Sequence, residues 1–234
     1  MTADDTVENT VFTAEALYRD VAKLAKEEPQ NVELLKAQVH GARHLIGLYA
    51  RSNDLLKAQS VFDEVALLIS ESPEHASLRE MRAGAAVPLS AAYGNAGFIE
   101  KVRQIYDDIR NMAQRFPDEV DLLEIQVNIA VNMSIDYLNN NQPGEVVNIL
   151  EEVTKIGEKC EEQESIQKDR VRILTNLIYY YVDEAADIEV ARKFYGQLGE
   201  LAAAHPDDPY FRRAQADTAV SIIAKIEEMS ESTN

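Results

Sequence analysis

The sequence predicts an all-α protein made of antiparallel helical hairpins, and three observations lead to this prediction. The 234 residues are rich in Ala, Leu, Glu and Gln and contain nine Gly and seven Pro, a composition that favours helices. Apolar residues recur at spacings of three and four, as one face of a helix requires. A tyrosine also returns every 44 residues, at Tyr49, Tyr93, Tyr137 and Tyr181.

Other residues recur at fixed distances from these tyrosines, and each set of equivalent positions is called here a column. Four residues earlier stand Leu45, Leu89, Met133 and Leu177. Nine residues later stand Ala58, Val102, Val146 and Val190, and four beyond them Phe62, Tyr106, Leu150 and Phe194. Boundaries fall at Pro29, Pro73, Pro117 and Pro206, with Glu161 in the fourth place. A period of about 20–50 residues indicates structural units that stack on one another.

Each repeat is predicted to hold two helices. The first starts just after the proline, where a missing N–H costs little and where acidic residues suit the helix dipole, and it runs to the tyrosine. A polar turn follows, written RSND, GNAG, NNQPG or DEAAD, in which Gly, Asn and Asp tolerate left-handed backbone. The second helix then runs to the next boundary. Pro88 lies inside the first helix of the second repeat and is expected to kink it.

The predicted organisation is a single domain, 1–234, with ten helices and no linker. The repeats span 29–72, 73–116, 117–160 and 161–205. Single helices at 11–28 and 206–228 are expected to cap the two ends, since an end face of a repeat array must be made soluble.

Charge and cysteine content narrow the classes of partner. The formal net charge is −18, and such a field repels nucleic acids and anionic membrane surfaces. Cys160 is the single cysteine, so no internal disulfide can form, as suits a reducing compartment. The acidic start MTADDTVENT does not have the pattern of a signal peptide, and no apolar run is long enough to span a membrane. We therefore expect a cytoplasmic protein that binds neither nucleic acid nor membrane.

The columns resemble the tetratricopeptide repeat (TPR), which places Leu, Tyr, Ala, an aromatic residue and Pro in this order. The arrangement covers about 29–203, but each repeat is ten residues longer than the 34 residues of the usual TPR. The family's bulky position seven before the tyrosine is Ala42, Ala86, Ala130 and Leu174 here. The resemblance implies a right-handed α-solenoid whose first helices line a concave groove. It also implies a non-catalytic interaction module or scaffold that binds a peptide or protein segment there.

Candidate groove residues follow from the positions that the resemblance places on the concave face. Nine and five residues before the tyrosines stand His40, His44, Asn128, Asn132, Arg172 and Asn176, and Arg43, Asp136 and Tyr179 lie beside them. Asn139 and Asp183 continue the polar stripes of the third and fourth repeats. Asn side chains both donate and accept hydrogen bonds, which suits a peptide backbone, and Arg172 could hold a carboxylate. The alternative to a binding groove is that these side chains form an ordinary solvent-exposed face or an Asn hydrogen-bond network between helices.

Two further alternatives stay open. His40 and His44 are four residues apart and could present two imidazoles to a metal, although no third ligand is evident, so we expect neither a metal nor a cofactor. No phosphate loop, nucleotide-binding glycine motif, zinc motif or serine elbow occurs, so we do not expect an enzyme. The protein could instead be structural and self-assemble through its edges or terminal helices, in which case it would be a homo-oligomer.

Overall fold

A computed structural model describes residues 3–70 and 75–231, and within them the chain forms ten α-helices, one π-helical segment and no strand. The helices are α1 (Ala3–Glu27), α2 (Val32–Arg51), α3 (Leu55–Ser70), α4 (Ala76–Asn95), α5 (Ile99–Arg115), α6 (Val120–Asn139), α7 (Pro143–Lys159), α8 (Glu164–Tyr179), α9 (Ile188–Ala204) and α10 (Pro209–Glu231). The π segment, Tyr180–Glu184, follows α8 directly. The predicted all-α class and the alternation of long helices with short turns are confirmed. The predicted boundary at Pro73 lies outside the described residues.

The first helices of three repeats start and end at the same positions of the repeat. α2, α4 and α6 each contain 20 residues, and both their first and last residues are 44 positions apart. α4 continues on both sides of Pro88, which lacks an amide and therefore leaves the carbonyl of Gly84 without its helical donor. The sequence period thus sets the helix boundaries as well as the residue types.

The chain divides into two compact units, Met1–Ile129 (unit 1) and Ala130–Asn234 (unit 2), with the division inside α6. In unit 1, α2 packs against α1, α3 and α4. In unit 2, α8 packs against α7, α9 and α10. In each unit, a first helix therefore contacts the helix before it, the second helix of its own hairpin and the next first helix.

The repeat columns form the buried face of the first helices. The buried sets are Val39, Ala83, Val127 and Val171; Ala42, Ala86, Ala130 and Leu174; Leu45, Leu89, Met133 and Leu177; and Ile46, Ser90, Ser134 and Ile178. The hydroxyls of Ser90 and Ser134 donate to the carbonyls of Val87 (2.9 Å) and Val131 (2.7 Å), so burial does not leave them unsatisfied. Apolar burial along these columns is the main driving force that holds the helices together.

Each of the first three turns closes in the same way. The residue with positive φ is Asn53 (58°), Gly97 (77°) or Asn141 (55°), at intervals of 44. The next amide donates to the carbonyl of the repeat tyrosine at 2.9 Å, from Asp54, Phe98 and Gln142 respectively. This is the Schellman closure of a helix end, and it confirms the left-handed positions that the turn sequences predict.

The fourth repeat contains one extra residue at this point. The corresponding hydrogen bond runs from the amide of Asp187 to the carbonyl of Tyr181 (2.8 Å), and the positive φ falls on Ala186 (51°). α9 accordingly starts 45 residues after α7 rather than 44. The π segment accommodates the additional residue, because a π turn holds one residue more than an α turn.

The extra residue corrects two predicted core positions. Tyr181 is half-buried, whereas the next residue, Val182, is 1% exposed. Val190 is also half-buried, whereas Ala191 has no exposed surface. These two columns are therefore one residue early from the π segment onward, whereas Phe194 is buried (4% exposed) where its column places it.

Helices lie at both ends of the chain, where the sequence predicts them. α1 begins at Ala3 rather than at residue 11, and it buries Tyr18, whose hydroxyl donates to Glu64 Oε1 at 3.0 Å. α10 starts at Pro209 and buries Phe211, Thr218 and Ile222 along one face.

Ala186→Gly is expected to stabilise the protein by about 1 kcal/mol, because glycine adopts positive φ without the steric cost that a Cβ atom imposes. The measurement is urea unfolding followed by circular dichroism. Ala185→Gly is the matched control, since Ala185 is also exposed but has a φ of −87°. An equal effect of the two substitutions would contradict the strain assigned to Ala186.

Candidate functional site

The two units divide the predicted groove residues between them. His40, Arg43, His44 and Asn128 belong to unit 1, and Asn132, Asp136, Arg172, Asn176 and Tyr179 belong to unit 2. All nine lie on first helices, and each is exposed or half-buried. Asn176 and Tyr179 line a cavity, and this cavity is the candidate site in unit 2 that includes predicted residues.

His40 and His44 contact each other on the exposed face of α2. Their Nε2 atoms are 3.1 Å apart, and the rings meet edge to face with centroids 4.6 Å apart. At this separation a ring nitrogen of one histidine can donate to that of the other, and the tautomers decide which one donates. The two Nε2 atoms are therefore partners of each other. Among residues 3–70 and 75–231, no group of three or more His, Cys, Asp or Glu side chains is placed to hold a metal ion.

Arg43 covers the surface of α4 at Gly84. A Cβ atom at Gly84 would lie 3.4 Å from Nη1 of Arg43, so the guanidinium lies directly against the helix at its glycine. Gly84 and Pro88 lie nine and five residues before Tyr93, at the positions that the TPR resemblance assigns to a groove, and neither has a side chain that donates hydrogen bonds. The three atoms nearest to a Cβ at Gly84 all belong to the guanidinium group of Arg43.

The cavity in unit 2, called here the Asn–Tyr pocket, has a volume of about 510 Å³. It lies between the end of α6 with its turn and the end of α8 with the π segment. Its lining is Ile135, Leu138, Asn139, Asn141, Asn176, Tyr179, Tyr180, Asp183 and Glu184. Three amides, two phenols and two carboxylates therefore surround a space of the size that binds small ligands or peptide side chains.

Local structure explains why these side chains converge. Asn141 lies at the left-handed position of its turn, and Asp183 and Glu184 lie in the π segment, where the extra residue changes the direction in which side chains project. The ring of Tyr180 meets that of Tyr181 edge to face at 5.5 Å, and Tyr181 stacks on Phe194 at 5.8 Å. The aromatic wall of the pocket is thus anchored to α9 through Tyr181.

The pocket is acidic. Its lining includes two carboxylates and no Lys, Arg or His. Burial raises the pKa of the Tyr179 hydroxyl, and the charges of Asp217 and Asp183 raise it further, so this phenol remains a neutral donor. A ligand that enters the pocket consequently meets negative charge, neutral hydrogen-bonding groups and aromatic faces.

Three other predicted residues of unit 2 lie outside the lining. Arg172 donates from Nη1 to Asp169 Oδ1 at 2.8 Å, within its own helix. Asn132 is half-buried in α6. Asp136 is also half-buried, and burial raises the pKa of its carboxyl to about 6. The positive charge at Arg172, which the sequence offers to a ligand carboxylate, therefore already has an acidic neighbour.

The sequence prediction does not include Ile135, Leu138, Asn141, Tyr180 and Glu184 as site residues, whereas Asn139 and Asp183 lie on its polar stripes. The first three lie in or close to the turn after α6, whose NNNQPG sequence shows a turn but not a pocket. The last two depend on the π segment.

Two further cavities lie within single units. One of about 690 Å³ in unit 1 is lined by parts of α1, α2 and α3, including Arg19, Lys23 and Lys26. One of about 570 Å³ in unit 2 lies among α7, α8 and α9. There the side chain of Arg170 lies so close to Gly157 that a Cβ atom would come within 2.6 Å of Arg170 Cδ. Neither cavity includes a residue predicted for the groove.

No helix among the described residues is both long and apolar enough to cross a membrane. A scan of protein-family models and searches of curated proteins and of solved structures found no match to this chain. The functional assignment therefore rests on the geometry of the site itself.

Asp136→Asn should change how stability depends on pH. The folded protein keeps the proton of Asp136 up to about pH 6, whereas the unfolded chain releases it near pH 4, so this group makes folding less favourable as pH rises from about 4 to 6. The amide removes that loss. Because the carboxyl is half-exposed and solvent screens it, we expect a gain of about 1 kcal/mol at pH 7 and almost none at pH 4.

The measurement is urea unfolding of the native protein and Asp136→Asn at several pH values between about 4 and 7.5, the range that the two pKa values span. Asp207→Asn removes the same charge from an exposed position and is the control. If the difference between Asp136→Asn and the native protein does not vary with pH, the raised pKa is wrong.

Proposed function

We propose that the protein is a non-catalytic interaction module, a TPR-like right-handed solenoid that binds a protein segment on the face of its first helices. Three features support the architecture: buried columns at a 44-residue period, hairpin turns with a common closure, and contacts between successive first helices within each unit. The extra ten residues per repeat extend the helices and leave more first-helix surface for a partner than a standard repeat offers.

The Asn–Tyr pocket is the observation that best supports a binding role. Asn139, Asn141 and Asn176 carry amides that both donate and accept, as the backbone of an extended segment requires. The carboxylates of Asp183 and Glu184 would pair with a cation, and tyrosine faces attract Lys or Arg through their π electrons. We therefore propose that the bound segment presents a basic side chain to this pocket.

The charge of the whole chain is consistent with such a partner. A net charge of −18 attracts basic segments over distances limited by ionic screening and disfavours phosphate backbones and anionic lipids. We propose a scaffold or adaptor that acts in the cytoplasm, and that uses the acidic field for fast capture and the pocket for recognition.

The test is selection from a display library of random twelve-residue peptides on the full-length protein, followed by titration of selected peptides by calorimetry. We expect selected peptides to be enriched in Arg or Lys at one position. Asp183→Asn with Glu184→Gln should weaken their binding at least tenfold, because the pocket then offers no negative charge. Binding should also weaken as salt concentration increases.

The matched control is Asp207→Asn with Glu162→Gln, which removes the same charge from exposed positions of unit 2 outside the pocket. Equal losses in the two double variants would mean that net charge, and not the pocket, attracts the peptides. Selected peptides without a basic residue, or without dependence on Asp183 and Glu184, would reject the pocket as the recognition site.

A further inference from the structure

One face of α10 is apolar and exposed. Val220, Ile223 and Ile226 are 66%, 56% and 46% exposed, and Ala216 and Ala219 complete the same stripe at spacings of three and four. The other face of the helix is the one packed into unit 2, through Phe211, Thr218 and Ile222. α10 therefore has two apolar faces, and only one of them packs within unit 2.

Four charged residues within α10 oppose its helix dipole, whereas Asp208, just before the helix, accepts a hydrogen bond from the amide of Tyr210 at 2.8 Å as a capping carboxylate does. Arg212 and Arg213 lie near the N-terminus, where the dipole disfavours cations, and Glu227 and Glu231 lie near the C-terminus, where it disfavours anions. α7 shows the usual order, with an acidic residue in its first turn and a lysine in its last. The arrangement in α10 costs stability in an isolated helix and becomes favourable beside an antiparallel helix with the same arrangement.

We propose that α10 pairs in antiparallel orientation with α10 of a second copy of this chain, centred on Val220. Arg213 lies seven residues before Val220 and Glu227 seven residues after it, so both lie along the same stripe. A two-fold axis at Val220 brings Arg213 of each copy beside Glu227 of the other. The side chain of Arg213 is 84% exposed and its Nε lies 3.5 Å from Asp217 Oδ2 of its own helix, so the guanidinium would be shared between Asp217 and Glu227 of the partner.

The charge pattern selects this partner and orientation. The basic end of the helix is complementary to its own acidic end, so the best match for α10 in charge is a second α10 that runs the other way. Parallel pairing would place Arg213 beside Arg213 and Glu227 beside Glu227, which is unfavourable. Antiparallel pairing also opposes the two helix dipoles.

The contact between the two α10 helices from Arg213 to Glu227 is called here the seam, and its size sets the expected affinity of the dimer. From Arg213 to Glu227 the helix extends roughly 21 Å at 1.5 Å per residue, so one helix face covers less than the ~800 Å² per partner of a standard interface. We therefore expect a reversible dimer with a dissociation constant on the order of micromolar to tens of micromolar.

The experiment is sedimentation velocity of the full-length protein from about 1 to about 300 μM, a range that brackets the expected dissociation constant. Arg213→Glu and Glu227→Arg are measured separately and mixed in equal amounts. Each variant alone places two like charges at each end of the seam and should dimerise at least tenfold more weakly.

The mixture of the two variants restores the charge pattern. The chain with Arg213→Glu is negative at both positions 213 and 227, and the chain with Glu227→Arg is positive at both. Opposite charges therefore meet at each end of the mixed seam. The mixture should form heterodimers at least as readily as the native protein forms dimers.

Arg192→Glu and Glu189→Arg, both exposed on α9 and outside the stripe, reproduce the charge changes and should leave dimerisation unchanged. Circular dichroism and the melting temperature verify that each variant is folded. A native protein that is monomeric at the highest concentration overturns the proposal. So does a dimer that is indifferent to the two α10 reversals, or a mixture that associates no better than its components. None of these outcomes depends on peptide binding at the Asn–Tyr pocket, so the two proposals are tested independently.

Discussion

The hydrogen bond that the carbonyl of each repeat tyrosine accepts at the end of its helix is the constraint on which the rest of the fold depends. This bond fixes the turn, the turn fixes the first residue of the second helix, and that residue fixes which side chains face the core. In three repeats the donor is five residues after the tyrosine, and the second helices start 44 residues apart. In the fourth the donor is six residues after it, and the buried positions of the helix that follows move by one.

The sequence could predict the all-α class, the hairpins and most of the core, because these follow from short-range spacing and apolar burial. Leu45, Leu89 and Leu177 are buried where the columns place them, and Asn53 and Asn141 adopt the left-handed backbone that their turns require. Tyr181 and Val190 depart from the prediction because the sequence keeps the 44-residue spacing through a segment whose backbone has one residue more. A π turn has no characteristic amino-acid composition, so the sequence period does not predict it.

The candidate site was harder to predict than the fold. Asn176 and Tyr179 were recognised because they sit on the face that the resemblance assigns to the groove, and both line the pocket. Asp183 lies on the same polar stripe and Glu184 belongs to the turn sequence, but the position of both beside the tyrosines depends on the backbone of the π segment. Arg172 was predicted as a site residue but does not line the pocket. Its guanidinium donates a hydrogen bond to Asp169, three residues earlier on the same helix. Such local pairs decide which charged side chains can still pair with a ligand.

The π segment joins the structural irregularity to the proposed function. A π turn and an alanine at positive φ are both less stable than the α turn and glycine or asparagine that the other repeats use at this point. The irregularity brings two carboxylates and two phenols to one cavity, whereas the regular turns of the first three repeats carry no comparable acidic and aromatic set. Backbone strain next to the acidic wall of the pocket is typical of a binding site, where local geometry that suits a ligand often lowers the stability of the fold. The same reasoning applies to α10, where charges opposed to the helix dipole are costly in one copy and complementary in two.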